Sequence, residues 1–183
     1  MVKVDRRVLR TQEAIKKAFL ELMSEKKFES ITIQDIADRA NINRATVYLH
    51  YLDKFDLIDK IIEEHILNMS EICETEAELD WFESTVLCIE YLEENYLFFS
   101  TMLASEGASF FRNQFVQHNI KEFKKDIDIT KGRNKGQNEE VVAEFVANAY
   151  VGVVEWWIKN EMPYTPKEMA EKLGDLLERV VES

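Results

Sequence analysis

ITIQDIADRANINRATVYLHYL, residues 31–52, has the spacing of two short helices joined by a tight turn. Thr32 can cap a helix running to Ala40, and Asp35 stands three residues on, where a reciprocal cap partner belongs. Ile33, Ile36, Ala37 and Ala40 recur at helical spacing and form its apolar stripe. Ala37 is small enough to let a second helix cross closely. Asn41 falls at the turn, and asparagine is, after glycine, among the residues that best tolerate a left-handed backbone. Ile42 makes an apolar plug. Asn43 can cap a second helix, Arg44 to Tyr51, with Val47 and Tyr51 facing inward. This pattern is that of a helix-turn-helix.

Such a module places its second helix in the major groove of DNA and reads base edges from the N-terminal half of that helix. Arg44 has the paired donors that match guanine. Thr46 suits a thymine methyl or a phosphate. Tyr48, His50 and Lys54 suit phosphate oxygens and so set register rather than sequence. Thr32 and Asn43 serve as caps and as candidate DNA contacts. Arg6 and Arg7 offer an arm toward the minor groove.

Outward from this stretch the chain reads as helices throughout. Residues 5–26 carry Val8, Ile15, Phe19 and Leu22 on one helical face, and Phe28 to Ser30 make a short connection. Lys54 to about Glu76 reads as a long helix with Phe55, Ile58, Ile61, Ile62, Ile66 and Met69 on its apolar side. Helices follow at 81–94, from Tyr96 to about Ala104, and at about 109–125, with breaks at Asn95 and Gly107. The segment 126–138, with Gly132 and Gly136, reads as a mobile loop. Glu139 to Asn160 is apolar nearly all round, which implies burial on more than one side. Pro166 opens a last helix ending near Val181. These two final helices are expected to form half of a four-helix homodimer interface through Val146, Tyr150, Val153, Trp157, Leu173 and Leu177.

The stretch ITIQDIADRANINRATVYLHYLDKFDLI, residues 31–58, resembles the DNA-binding domain of the TetR family of bacterial regulators. The likeness lies in Thr32-Ile33 with Ile36-Ala37, in Thr46-Val47-Tyr48, and in the Tyr51-x-x-Lys54-x-x-Leu57 step; it covers roughly residues 5–60. Asn41 stands where members of the family usually have glycine. YVGVVEWWIKNEMPYTPKEMAEKL, residues 150–173, is similar to the regulatory domain of members from Gram-positive bacteria. The resemblance implies an all-α fold of about nine helices, with a DNA-binding domain at 1–53 and a ligand-sensing and dimerisation domain at 54–183. It supports phosphate contacts at Thr32, Tyr48, His50 and Lys54. It also implies a pocket for a small apolar or aromatic ligand, whose candidate lining is Met69, Cys73, Trp81, Phe82, Phe99, Met102 and Phe111. The expected function is a repressor released from a double-stranded DNA operator by that ligand. The rival is a helix-turn-helix adaptor that binds other proteins and has no inducer.

Composition sets the outer limits. The chain has 183 residues and is 46% hydrophobic, with only 2 prolines and 5 glycines, which favours long helices over short strands and many turns. Its net charge is −12, yet residues 1–60 carry +2 and the remainder −14. Any contact with phosphates therefore belongs to the N-terminal third. Cys73 and Cys88 form no CxxC pair and read as core thiols, with a redox disulfide as the alternative. No P-loop, nucleophile elbow or metal constellation is present, so neither an enzyme nor a cofactor is expected. With no run of 18 apolar residues and no signal-peptide pattern, a cytoplasmic protein without a membrane span is expected.

Overall fold

The computed structural model describes residues 6–75, 81–104 and 109–181. Among them lie nine α-helices and no strand: α1 Arg6–Glu25, α2 Ile33–Arg39, α3 Arg44–Tyr48, α4 Lys54–Thr75, α5 Trp81–Glu94, α6 Tyr96–Ala104, α7 Ser109–Phe123, α8 Glu139–Lys159 and α9 Pro166–Val181. The all-α expectation holds. Residue 5, Glu76 and Gly107, expected at a helix start, a helix end and a break, lie outside the described residues. By packing the chain divides into two compact units, residues 1–65 and 66–183.

The first unit is held by a small apolar core. Ile15, Phe19 and Leu22 of α1 close on Ile36 and Ala37 of α2, and Val47, Leu57 and Ile61 complete it; all are buried. Burial of each large side chain of this kind contributes roughly 1.5–3 kcal/mol. Arg39, at the end of α2, clamps back onto α1 through two bonds to the Glu25 carboxylate, 2.6 and 2.9 Å. The short connection expected at Phe28–Ser30 is a single 3-10 turn. Val8, counted on the apolar face of α1, is partly exposed near the helix start.

In the second unit α5 packs on α9, α7 on α8, and α6 against both α7 and α8. The core between α6 and α7 is aromatic: Phe98 meets Phe99 at 5.0 Å and Phe111 at 5.2 Å, and Phe111 stacks on Phe115 at 5.7 Å. The segment expected to be a mobile loop is anchored. Ile127 and Asn134 are buried, Gly132–Asn134 forms a 3-10 turn, and the Gly136 N–H donates to the Ile129 carbonyl at 3.1 Å. Its two glycines occupy left-handed backbone, φ 63° and 78°, so they shape the turn. By length and composition α8 could cross a membrane, but half of its most apolar window is buried inside the protein, as in a core helix.

Candidate nucleic-acid interface

The interface is built from α2, the turn and α3. Thr32 caps α2: its hydroxyl accepts from the Asp35 N–H at 3.1 Å and donates to the Asp35 carboxylate at 2.8 Å, and the Thr32 N–H donates to the same carboxylate at 2.8 Å. The reciprocal cap is complete with aspartate in place of the usual glutamate. Hydrogen bonds from Lys26 and Thr32 hold the Asp35 carboxyl down at about 2. Helix α2 ends at Arg39, with Ala40 as its C-cap. Asn41 adopts φ 53°, the left-handed backbone that its position called for. Asn43 then accepts from the Ala45 N–H at 2.8 Å and starts α3.

Helix α3 is shorter than the sequence suggested, ending at Tyr48 rather than Tyr51. Val47 and Tyr51 are buried as expected, so Tyr51 reaches the core from the turn after the helix. Arg44 is exposed and lies along its own helix: its guanidinium donates to the Tyr48 hydroxyl at 3.0 Å and stands 5.4 Å from that ring's centre. The pair projects as one unit from the same flank. Thr46 and His50 are half-buried on the other side, and the His50 ring lies beside that of Tyr51. A cleft of about 520 Å³ opens between α2, α3 and the start of α4, with Thr32, Gln34, Arg44, Tyr48, Lys54 and Phe55 in its walls. Gln34 was absent from the sequence expectations; its place one residue inside the N-terminus of α2 was the available sign.

Lys54 has a different role from the one expected. Its ammonium donates to the carbonyls of Phe28, Glu29 and Ile31 at 2.8, 3.0 and 3.0 Å, and lies 4.6 Å from the Phe28 ring centre. An ammonium has three donors, and all three are spent on the protein's own backbone. Lys54 is thus the pin that holds the 3-10 turn against the start of α4, and the expectation of a phosphate-facing ammonium is revised.

The expected dimer residues also change. Val146 is 1% exposed, Trp157 0%, and Tyr150, Leu173 and Leu177 are buried as well, all within the chain's own second unit. Trp157 is further fixed by its indole N–H, which donates to the Tyr164 carbonyl at 3.0 Å. These five belong to the internal core, and only Val153 is half-exposed. The apolar side chains that α8 presents outward are Val141, Phe145 and Trp156, with Leu176 from α9.

Of the expected ligand-pocket residues, Met69, Phe99, Met102 and Phe111 are buried, and Phe82 is half-buried. Phe99 and Phe111 belong to the packed aromatic cluster. The side chains of Cys73 and Trp81 lie outside the described residues; Cys88 is half-buried rather than fully in the core. The five described ones do not line the open groove of about 410 Å³ between α4 and α5, whose walls include Asn68, Glu71, Glu90 and Tyr91. Among the described residues no group of three or more His, Cys, Asp or Glu is placed to hold a metal ion.

A capped helix-turn-helix followed by a separate helical unit defines a class of DNA-binding regulators. A family profile described as bacterial regulatory proteins of the tetR family matches residues 15–61, and one described as a transcriptional regulator C-terminal region matches residues 80–179. The second match covers more than half of the chain, which belongs to the TetR family of DNA-binding transcriptional regulators. Among relatives, an uncharacterized HTH-type transcriptional regulator of Bacillus subtilis, YxbF, is 49% identical over 61 residues, 33% of this chain and 16% of that protein. The dhaKLM operon transcriptional activator DhaS of Lactococcus lactis is 30% identical over 89 residues, 49% of this chain and 46% of its own length. The matched stretches thus span less than half of these relatives. Solved structures share the fold. That of NalD, the secondary repressor of the MexAB-OprM multidrug efflux pump in Pseudomonas aeruginosa, matches with TM-score 0.73 at 19% identity over 96% of this chain and 98% of its own. A TetR regulator from Streptococcus agalactiae matches with TM-score 0.69 at 20% identity over 94% and 96%.

Proposed function

We propose that the chain works in the cytoplasm as a homodimeric repressor, reading an operator with residues 1–53 and sensing a small apolar or aromatic molecule with residues 54–183. The observation that carries the DNA reading is α3, a short helix fixed at its start by Asn43, anchored inward by Val47, and offering Arg44 and Tyr48 to solvent. Such a helix has an exposed reading face and rigid supports, as groove recognition requires. A dimer seated on a promoter excludes other proteins from it, which supports repression. The aromatic cluster of α6 and α7 supports the ligand class, because a molecule that parted these buried rings would be bordered mainly by apolar faces.

The homodimer reading rests on the outward stripe of α8: Val141, Phe145, Ala149, Gly152 and Trp156 follow one another at helical spacing on the side away from the core. Gly152 is informative. A glycine inside a helix costs about 1 kcal/mol relative to alanine. A side chain added at Gly152 would meet nothing within 4 Å, so packing inside the chain does not call for it. Close approach of the same helix from a second copy does.

Duplexes selected by the purified protein from a random library test the reading. An enriched sequence, bound more weakly as salt rises, is expected. Absence of any enriched duplex would leave the adaptor alternative. Transcription from a promoter bearing the selected sequence should rise when the chain is removed; a fall would make it an activator. Native mass spectrometry of the purified protein is expected to reveal a retained small molecule, and its consistent absence in active preparations would count against ligand control.

A further inference from the structure

The outermost point of the reading helix is apolar. Val47 is fully buried and defines the inward direction of α3. Turning about 100° per residue places Ala45 and Leu49 within about 20° of the opposite, outward direction. Arg44 and Tyr48 then lie on one flank, and Thr46 and His50 on the other. Exposure agrees: Leu49 is 81% exposed and Ala45 is exposed, whereas Thr46 and His50 are half-buried. Leu49 keeps helical backbone, φ −72° and ψ −20°, so the same rotation applies to it.

An exposed leucine alone says little. At the tip of a groove-reading helix it says more, because it would go deepest between the bases. Donors and acceptors line the major groove, and a leucine pressed against them removes their water and returns no hydrogen bond. The apolar group that the groove does present is the thymine methyl. We propose that Leu49, with Ala45 beside it, is a specificity-determining residue that selects thymine by packing on its methyl group. This assigns the methyl contact to the tip rather than to Thr46, whose half-buried place on the flank suits a phosphate. The proposal rests on the reading that α3 enters the major groove.

The test uses the full-length protein and the duplex it selects from a random library, with each thymine replaced in turn by uracil, which removes only the methyl. One thymine in each half-site should be sensitive: its loss weakens binding about fourfold per half-site, the scale of one buried methyl, and about fifteenfold when both are changed. Leu49→Ala should bind the thymine and uracil duplexes equally, and Leu49→Met should keep the penalty. Arg44→Ala should keep it too while losing preference at a different base pair. Melting curves matching the wild type, expected for so exposed a side chain, would show the variants to be folded. Equal binding of every uracil duplex by the wild type, or an undiminished penalty in Leu49→Ala, would overturn the proposal and leave DNA reading intact. Failure to enrich any duplex would overturn the DNA reading and this proposal with it.

Discussion

Two residues of the reading head owe their importance to hydrogen bonds made inside the protein. Lys54 spends its three donors on three carbonyls beside an aromatic ring. Lys54→Ala should therefore destabilise the first unit by roughly 2–3 kcal/mol, since charge-assisted bonds in a half-buried place are lost together. Urea unfolding followed by circular dichroism measures it. A variant that unfolds like the wild type but shows a smaller salt slope on DNA would return Lys54 to the phosphates. At Thr32, alanine removes the cap and should cost about 1 kcal/mol. Its partner Asp35 is held down at about 2, first by Lys26 and then by Thr32. A depressed carboxyl adds stability above its unfolded value of about 3.9, and that stability fades as pH falls from there toward about 2. Asp35→Asn should flatten the acid limb of the unfolding curve in that window, and an unchanged limb would place the titration elsewhere. Arg44→Ala should cost about 1–3 kcal/mol on the selected duplex and relax one base pair, measured by fluorescence anisotropy.

Among the helices, α8 separates two kinds of apolar position. Val146 and Trp157 face the core and Phe145 and Trp156 face out, 62% and 47% exposed. Phe145→Glu or Trp156→Glu should give folded monomers in sedimentation, because a charge on an outward stripe harms only association. Gly152→Leu should do the same, since the first added carbon meets nothing within 4 Å inside the single chain. Val146→Glu should instead unfold the second unit, placing a charge in its interior. If Phe145→Glu and Gly152→Leu both remain dimeric, the contact between copies uses another face.

For the molecule as a whole, a buried imidazole links stability to pH. His118 is buried in α7, with its Nδ1 3.4 Å from the Ser70 hydroxyl. Burial pushes its pKa down, against the pull of Glu122. The unfolded chain then binds the proton more readily below about 6.5. Stability is complete above that pH and declines below it. His65 acts in the same direction, pushed down to about 4, mainly by burial. Urea midpoints should fall between about pH 6.5 and 5, and a His118→Gln variant should show a shallower fall. The same fall in His118→Gln would assign the effect to other groups, His65 first.

The helix-turn-helix was legible in the sequence because its signals are local. Thr32 with Asp35, Asn41 at the turn, Asn43 at the second cap and Val47 facing inward all act within a few residues, where side chain and backbone meet through short hydrogen bonds and fixed helical spacing. The fold class followed from the same periodicity, carried through α9. Tertiary structure alone decided partners that lie far apart in the chain. Lys54 met carbonyls 23 to 26 residues away, an event that no local pattern encodes. Helix α8 is apolar on two sides, and periodicity cannot say which side meets its own chain and which meets another. Packing against α6, α7 and α9 made that choice, taking Val146, Tyr150 and Trp157 inward and leaving Val141, Phe145 and Trp156 outside. Apolar residues drive burial without direction, so the sequence determined which positions of α8 are apolar, and only the folded chain decided which of them its own core covers.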